Sequence, residues 1–182
     1  MKLIPTTIAG IMHYFLVSLA VVIISYMYRP PYIPHIENLD PVKTYTFQDS
    51  VAHYIYKLDF DHPHIIMAQA KLESANFKSY LFKKNNNMFG MRFPRKRETV
   101  AIKDLGGYSY YESWMHSIID LRLYYSELNL DGRTEDEVYA FLGRRYAEDP
   151  RYVSALKQIV KRENLKQKFI AIKLSNDNIV KL

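Results

Sequence analysis

Glu73 is the residue best placed to do acid–base chemistry. It ends an Ala-rich stretch, residues 63–74, that is nearly all apolar or Ala: Ile65, Ile66, Met67, Ala68, Ala70 and Leu72. A helix that is apolar all round is buried. Ala70 and Ile66 lie one and two turns back from Glu73. A carboxyl in that setting loses water, which disfavours its charged form and raises its pKa. A carboxylic acid that keeps its proton near neutral pH is what a glycosidase needs to protonate a leaving oxygen. The same pattern fits a glutamate that simply emerges at the helix end and meets Lys71 or Lys78 in water. Pattern alone leaves both readings open.

Other chemistries are excluded more firmly. The chain has 182 residues and no cysteine, which removes thiol nucleophiles, disulfides, iron–sulfur clusters and every zinc site built on Cys. His62 and His64 are two residues apart, a poor spacing for one helical face, and no acidic cluster joins them in sequence. Neither a metal nor a cofactor is expected. A formal net charge of +6 suits an anionic partner: nucleic acid, acidic lipid or an acidic polymer. No helix-turn-helix or other nucleic-acid motif accompanies the charge, so nucleic acid is not expected. With 48% hydrophobic and 24% charged residues the chain is not disordered, and its length allows one domain plus an appendage.

The appendage is N-terminal. Ile8 to Tyr28 contains no Asp, Glu, Lys or Arg, and as a helix would span roughly 31 Å, about one hydrocarbon core. Tyr26, Tyr28 and Tyr32 sit where interfacial aromatics are expected. No small-x-small cleavage site follows, so an uncleaved membrane anchor over residues 1–28 is expected. Residues 29–45 carry prolines at 30, 31, 34 and 41 and read as a stiff spacer. The folded domain then covers 46–165, and 166–182 reads as a basic, then polar, loosely packed tail.

Within the domain, Thr46 with Asp49 and Thr134 with Glu137 have the spacing of capping boxes, and Pro63 suits a first helical turn. Trp114, Ile118, Leu121, Tyr125 and Leu128 form one helical stripe; Val153, Leu156, Ile159 and Val160 form another. Between them, 85–111 has no helical period. Asn85-Asn86-Asn87, Gly90, Pro94 and Gly106-Gly107 predict a loop and then a small β-hairpin, with strands near 98–102 and 108–111. The fold class is α+β, mainly helical, with a small β lobe beside a helical core and a cleft between them. The asparagines are expected to turn the chain and bond its backbone more than to touch a ligand. Arg95-Lys96-Arg97 reads as a solvated charge run that would also suit carboxylate-bearing substituents.

The run Ala68-Gln69-Ala70-Lys71-Leu72-Glu73-Ser74, followed by Asn86-Asn87-Met88-Phe89-Gly90-Met91-Arg92, then Tyr111-Glu112-Ser113-Trp114, then Tyr146-Ala147-Glu148-Asp149-Pro150-Arg151-Tyr152, resembles the glucosaminidase family of bacterial cell-wall hydrolases, glycoside hydrolase family 73. The four motifs occur in the family's order over about residues 46–162. The resemblance implies a lysozyme-like fold and cleavage of the β-1,4 bond after N-acetylglucosamine in peptidoglycan. It places the catalytic acid on Glu73, a second carboxylate on Glu98, with Asp104 the other candidate, and a positioning role on Tyr146. Asn86, Asn87, Phe77, Tyr111 and Trp114 are the candidate glycan contacts. Where many members have Gly-Trp-Gly after L-E-S, this chain has Ala75-Asn76-Phe77, so a sugar-stacking role would pass to Phe77. Together these readings describe an enzyme held at the cytoplasmic membrane by its N-terminal helix, with its C-terminal domain facing the periplasm or cell wall. The alternative is a catalytically weak glycan-binding module of the wall.

Overall fold

The second helix is the hub of the molecule, and its sequence explains why. In the computed structural model, which describes residues 45–146 and 149–179, α1 spans Phe47–Lys57 and α2 spans Pro63–Glu73. Every residue of α2 from His64 to Lys71 is buried, as the all-round apolar pattern requires. A short α3 (Tyr80–Asn85) leads into a loop. The hairpin β1 (Lys103–Leu105) and β2 (Tyr108–Tyr110) follows, then α4 (Trp114–Glu127), α5 (Glu135–Arg145), α6 (Tyr152–Arg162) and α7 (Leu165–Ile179). Helix α2 packs against α1, α6 and α7, while α5 packs on α6 and α4 on α1. The core gathers Val51, Ile55, Ile65, Ile66, Met67, Ile118, Leu121, Leu142 and Leu156.

Both capping boxes form. Thr46 accepts from the Asp49 amide at 3.2 Å while Asp49 accepts from the Thr46 amide at 3.0 Å, and Thr134 and Glu137 do the same for α5. Lys168 reaches Asp49 at 2.8 Å and so ties α7 to the start of α1.

Two expectations change. The tail after 165 is a helix, because Leu165, Phe169 and Ile172 recur at helical spacing and are buried against α1, α2 and α6. The intervening lysines mask that stripe in the sequence. The first strand also begins later than residue 98. Arg97 is drawn to Asp120, and the Ala101 amide bonds back to Thr99 Oγ1 at 3.0 Å. The ladder starts only where the Ile102 amide reaches the Tyr110 carbonyl at 2.9 Å. From there Lys103 pairs with Tyr110 and Leu105 with Tyr108. Gly106 and Gly107, at φ +67° and +81°, close the two-residue turn, a geometry that side chains resist. The expected membrane span over 8–28 and the spacer up to residue 44 lie outside the described residues. Among the described residues no helix is long and apolar enough to cross a membrane.

The turn leaving α2 is strained. Ala75, Asn76 and Phe77 sit at φ +49°, +58° and +65°, three consecutive non-glycine residues in the left-handed region. Ser74 Oγ accepts from the Phe77 amide at 2.8 Å, and the Ser79 amide bonds the Ser74 carbonyl at 2.8 Å. These bonds hold the turn where glycine would adopt it freely. Ala75 is exposed, so Ala75→Gly is expected to stabilise the protein by about 1 kcal/mol. A chemical-denaturation midpoint that rises at unchanged slope is the check.

Candidate active site

Glu73 is the last residue of α2, half-buried on the wall of a cleft of about 950 Å³. The cleft lies between α2 and the loop Phe89–Pro94 on one side and Tyr124, Arg145, Tyr146 and the first turns of α6 on the other. Burial pushes the Glu73 carboxyl above its ordinary pKa of 4.5, and a hydrogen bond from the Tyr152 hydroxyl pulls the other way. The surface alternative for Glu73 fails on one side. Lys71 is buried and pairs with Glu163, and its ammonium also donates to Gln48 Oε1 at 3.0 Å.

Tyr152 is one link in a directed chain of hydrogen bonds. Tyr125 donates to Gln69 Oε1 at 2.6 Å, Gln69 Nε2 donates to the Tyr152 hydroxyl at 3.2 Å, and Tyr152 donates to Glu73. Each donor points toward the carboxyl, so the chain favours the carboxylate that remains once a proton has left. Gln69 stands four residues before Glu73, on the same helical face. Sequence reasoning missed all three supporting residues, although Gln69 and Tyr152 lie inside motifs it quoted.

Tyr146 is in the cleft, with its ring stacked on Tyr152 at 5.8 Å between centroids and its hydroxyl donating to the Phe89 carbonyl at 3.1 Å. Its burial raises its pKa far above 10, so it stays a neutral donor. Gly90, at φ +64°, lets the loop pass beside the acid: a Cβ there would stand 3.9 Å from Glu73 Oε2.

The remaining sequence candidates lie outside the residues that line this cleft. Asn87 is 1% exposed and spends its amide on the Met91 and Ser109 carbonyls, at 2.9 and 3.0 Å, and on the Met91 amide at 2.9 Å. Asn86, at φ +53°, donates to the carbonyls of Tyr111 and Glu112. Both therefore hold the loop to the hairpin. Tyr111 is fully buried, with its hydroxyl on Asp120 at 2.7 Å. Phe77 packs edge-on against Phe47, as does Trp114, which anchors the start of α4. Glu98 is exposed, and Asp104 is exposed and caps the hairpin turn by accepting from the Gly107 amide at 2.6 Å.

Arg97 departs from a solvated charge run. It makes two hydrogen bonds to Asp120, at 2.9 and 2.7 Å, and Asp120 is 0% exposed. These bonds hold Asp120 below the ordinary carboxylate range despite burial, and they fix the loop that carries Arg97 into the cleft. Arg92 and Arg145 also line the cleft, and Arg151 does so paired to Asp149 at 3.0 Å.

A half-buried carboxyl on the wall of a cleft is compatible with glycosidase chemistry, and a family comparison bears on it. The glucosaminidase family, described as mannosyl-glycoprotein endo-beta-N-acetylglucosaminidase, matches residues 50–165, more than half of the chain. The chain belongs to the glucosaminidase family. It is a glycoside hydrolase of the endo-β-N-acetylglucosaminidase type. The matched segment of this glucosaminidase encloses every residue named in the cleft. Among solved structures, it is similar to the catalytic domain of the autolysin Auto from Listeria monocytogenes. The identity is 25%, over 68% of this chain and 88% of that one, with a TM-score of 0.48. No curated protein sequence matches the glucosaminidase.

The position of Glu73 has a thermodynamic signature. A carboxyl whose pKa is raised on folding binds its proton more tightly in the folded state. Its contribution therefore favours folding as pH falls toward the unfolded-state value and opposes folding once pH passes the folded-state value. Glu73→Gln removes the half-buried charge, so the variant is expected to melt higher than the wild type at pH 7–8. The gap should close as pH approaches about 4. Melting curves of both proteins across that range are the check; a gap that does not change with pH contradicts the expectation.

Proposed function

We propose that this glucosaminidase is a lysozyme-like peptidoglycan hydrolase, anchored in the cytoplasmic membrane by residues 8–28, that cleaves the β-1,4 bond after N-acetylglucosamine with Glu73 as general acid. The observation that carries the reading is the half-buried Glu73 carboxyl on the cleft wall, with its pKa raised by burial. A raised pKa favours the protonated form, which can give its proton to the leaving oxygen as the glycosidic bond breaks and water adds to the sugar carbon. The Tyr125–Gln69–Tyr152 chain stabilises the resulting carboxylate. Tyr146, a neutral donor stacked on Tyr152, positions the sugar or the attacking water.

The cleft also suits a wall polymer in its charge. Asp149 is already paired with Arg151, and Arg97 with Asp120; among the described residues no carboxylate pairs with Arg92, which stacks on Tyr108, or with Arg145, and these guanidiniums suit carboxylates carried by the glycan's peptide substituents. Peptidoglycan lies outside the cytoplasmic membrane, so the C-terminal domain faces the periplasm or cell wall. The uncharged run from Ile8 to Tyr28 supports the anchor.

The test uses the full chain, solubilised in detergent, on purified cell walls. Mass spectrometry of the released fragments is expected to show new N-acetylglucosamine reducing ends; muramic acid ends or anhydro products would contradict the bond assignment. Glu73→Gln is expected to lower kcat by about 10²–10⁴-fold with circular dichroism unchanged. Glu98→Gln, on an exposed side chain outside the residues that line the cleft, is expected to leave the rate little changed. A pH–rate profile should fall on its alkaline side as Glu73 loses its proton.

A further inference from the structure

The opposite end of α2 from Glu73 carries a second cluster of side chains that the glycosidase reading does not use. His62 caps α2, His64 lies in its first turn, and Glu135 opens α5. One ligand-capable atom from each lies within 4.8 Å of the other two. The two-residue spacing of the histidines argued against a shared helical face. His62, however, is the N-cap at φ −123°, ψ +64°, outside the helix, so helical spacing does not govern it. The acidic partner missing from the local sequence arrives from α5.

Three observations point to a ligand. First, His64 is 8% exposed, and its buried Nε2 makes no well-aligned hydrogen bond among the described residues, facing only the Glu135 carboxylate. A buried ring nitrogen without a partner is costly unless something else satisfies it. Second, Glu135 Oε2 lies 3.4 Å from that nitrogen. This is close to the edge of a tetrahedron with bonds of about 2.05 Å, the geometry of Zn²⁺ with nitrogen and oxygen ligands. Third, His62 Nε2 lies 2.7 Å from the Arg133 carbonyl. Only an N–H can bond a carbonyl, so the proton is on Nε2 and the lone pair on Nδ1. Nδ1 is therefore the atom His62 would offer a metal, and a backbone carbonyl on the other ring nitrogen is how metal-ligating histidines are commonly oriented.

We propose that His62, His64 and Glu135 form a Zn²⁺ site that ties the start of α2 to the start of α5. Two imidazoles and one carboxylate are a ligand set for Zn²⁺ rather than for Mg²⁺ or Ca²⁺. A fourth position remains for water or for a ligand from the adjoining cavity of about 710 Å³, which His64 and Glu135 help to line. Lys166 is the built-in competitor, with Nζ 2.6 Å from Glu135 Oε2. Its side chain is 52% exposed, so it can swing into solvent when a metal takes that oxygen. The site does not depend on the glycosidase reading.

The test is calorimetric titration of Zn²⁺ into the full chain, tag-free, detergent-solubilised and stripped with chelator, alongside thermal melts with and without the metal. One equivalent is expected to bind and to raise the melting temperature, while Mg²⁺ does neither. His62→Gln and Glu135→Gln should each weaken binding by at least about tenfold. Lys166→Met removes the competing ammonium and should tighten it, a gain that misfolding cannot mimic. His116→Gln should leave it unchanged, because among the described residues the partly exposed His116 and exposed Glu112 are a pair where adventitious metal would sit. Absence of a Zn²⁺ isotherm in the wild type overturns the proposal. So does binding that survives both ligand substitutions, that follows His116, or that Lys166→Met fails to strengthen.

Discussion

Removal of water from one carboxyl organises this molecule. Glu73 can be held out of solvent only if the helix that ends in it is itself buried, and α2 achieves this by packing against three other helices. The apolar run that makes α2 the hub is therefore also what raises the acid's pKa. The cost of seating a charged group there is limited by the tyrosine–glutamine chain, whose hydroxyls and amide all donate in the direction of Glu73. Burial and hydrogen bonding oppose each other at this atom. Burial favours the protonated carboxyl, and the chain of donors steadies the charged form.

The other wall of the cleft depends on a different device. The loop Phe89–Pro94 has no regular secondary structure of its own beyond a bridge from Arg92 to Tyr108 and two backbone bonds to the hairpin, so side chains help to fix it. Asn87 does so from within, using both ends of its amide on backbone groups. The Arg97–Asp120–Tyr111 cluster does so from α4, with a buried carboxylate accepting three bonds. Such a cluster is sensitive to the loss of any one member, because the remaining charge would be left buried without a partner.

Much of this was legible in the sequence where a single residue decides the outcome. The capping boxes at Thr46 and Thr134, Pro63 in the first turn of α2, the glycine pair of the hairpin and the all-apolar face of α2 each dictate local structure, and each forms. What was not legible depends on contacts distant in the chain. Arg97 reads as solvated in the sequence and Lys71 as a solvated partner for Glu73, but Asp120 meets the first and Glu163 the second. Phe77, Tyr111 and Trp114 look alike as aromatic candidates for a glycan. Only packing separates them from Tyr146 and Tyr152, which reach the cleft. The helix over 165–179 was missed for another reason: its apolar stripe is present, but lysines dominate the composition around it.

The most direct test of the central claim is a carbon-13 NMR titration that follows the Glu73 side-chain carboxyl, assigned by its loss in Glu73→Gln. The account predicts a midpoint above 4.5, moving higher still in Tyr152→Phe, where the stabilising donor is gone. A Glu73 midpoint at or below 4.5 would contradict it, because a solvated carboxyl has no reason to keep the proton that the proposed chemistry requires.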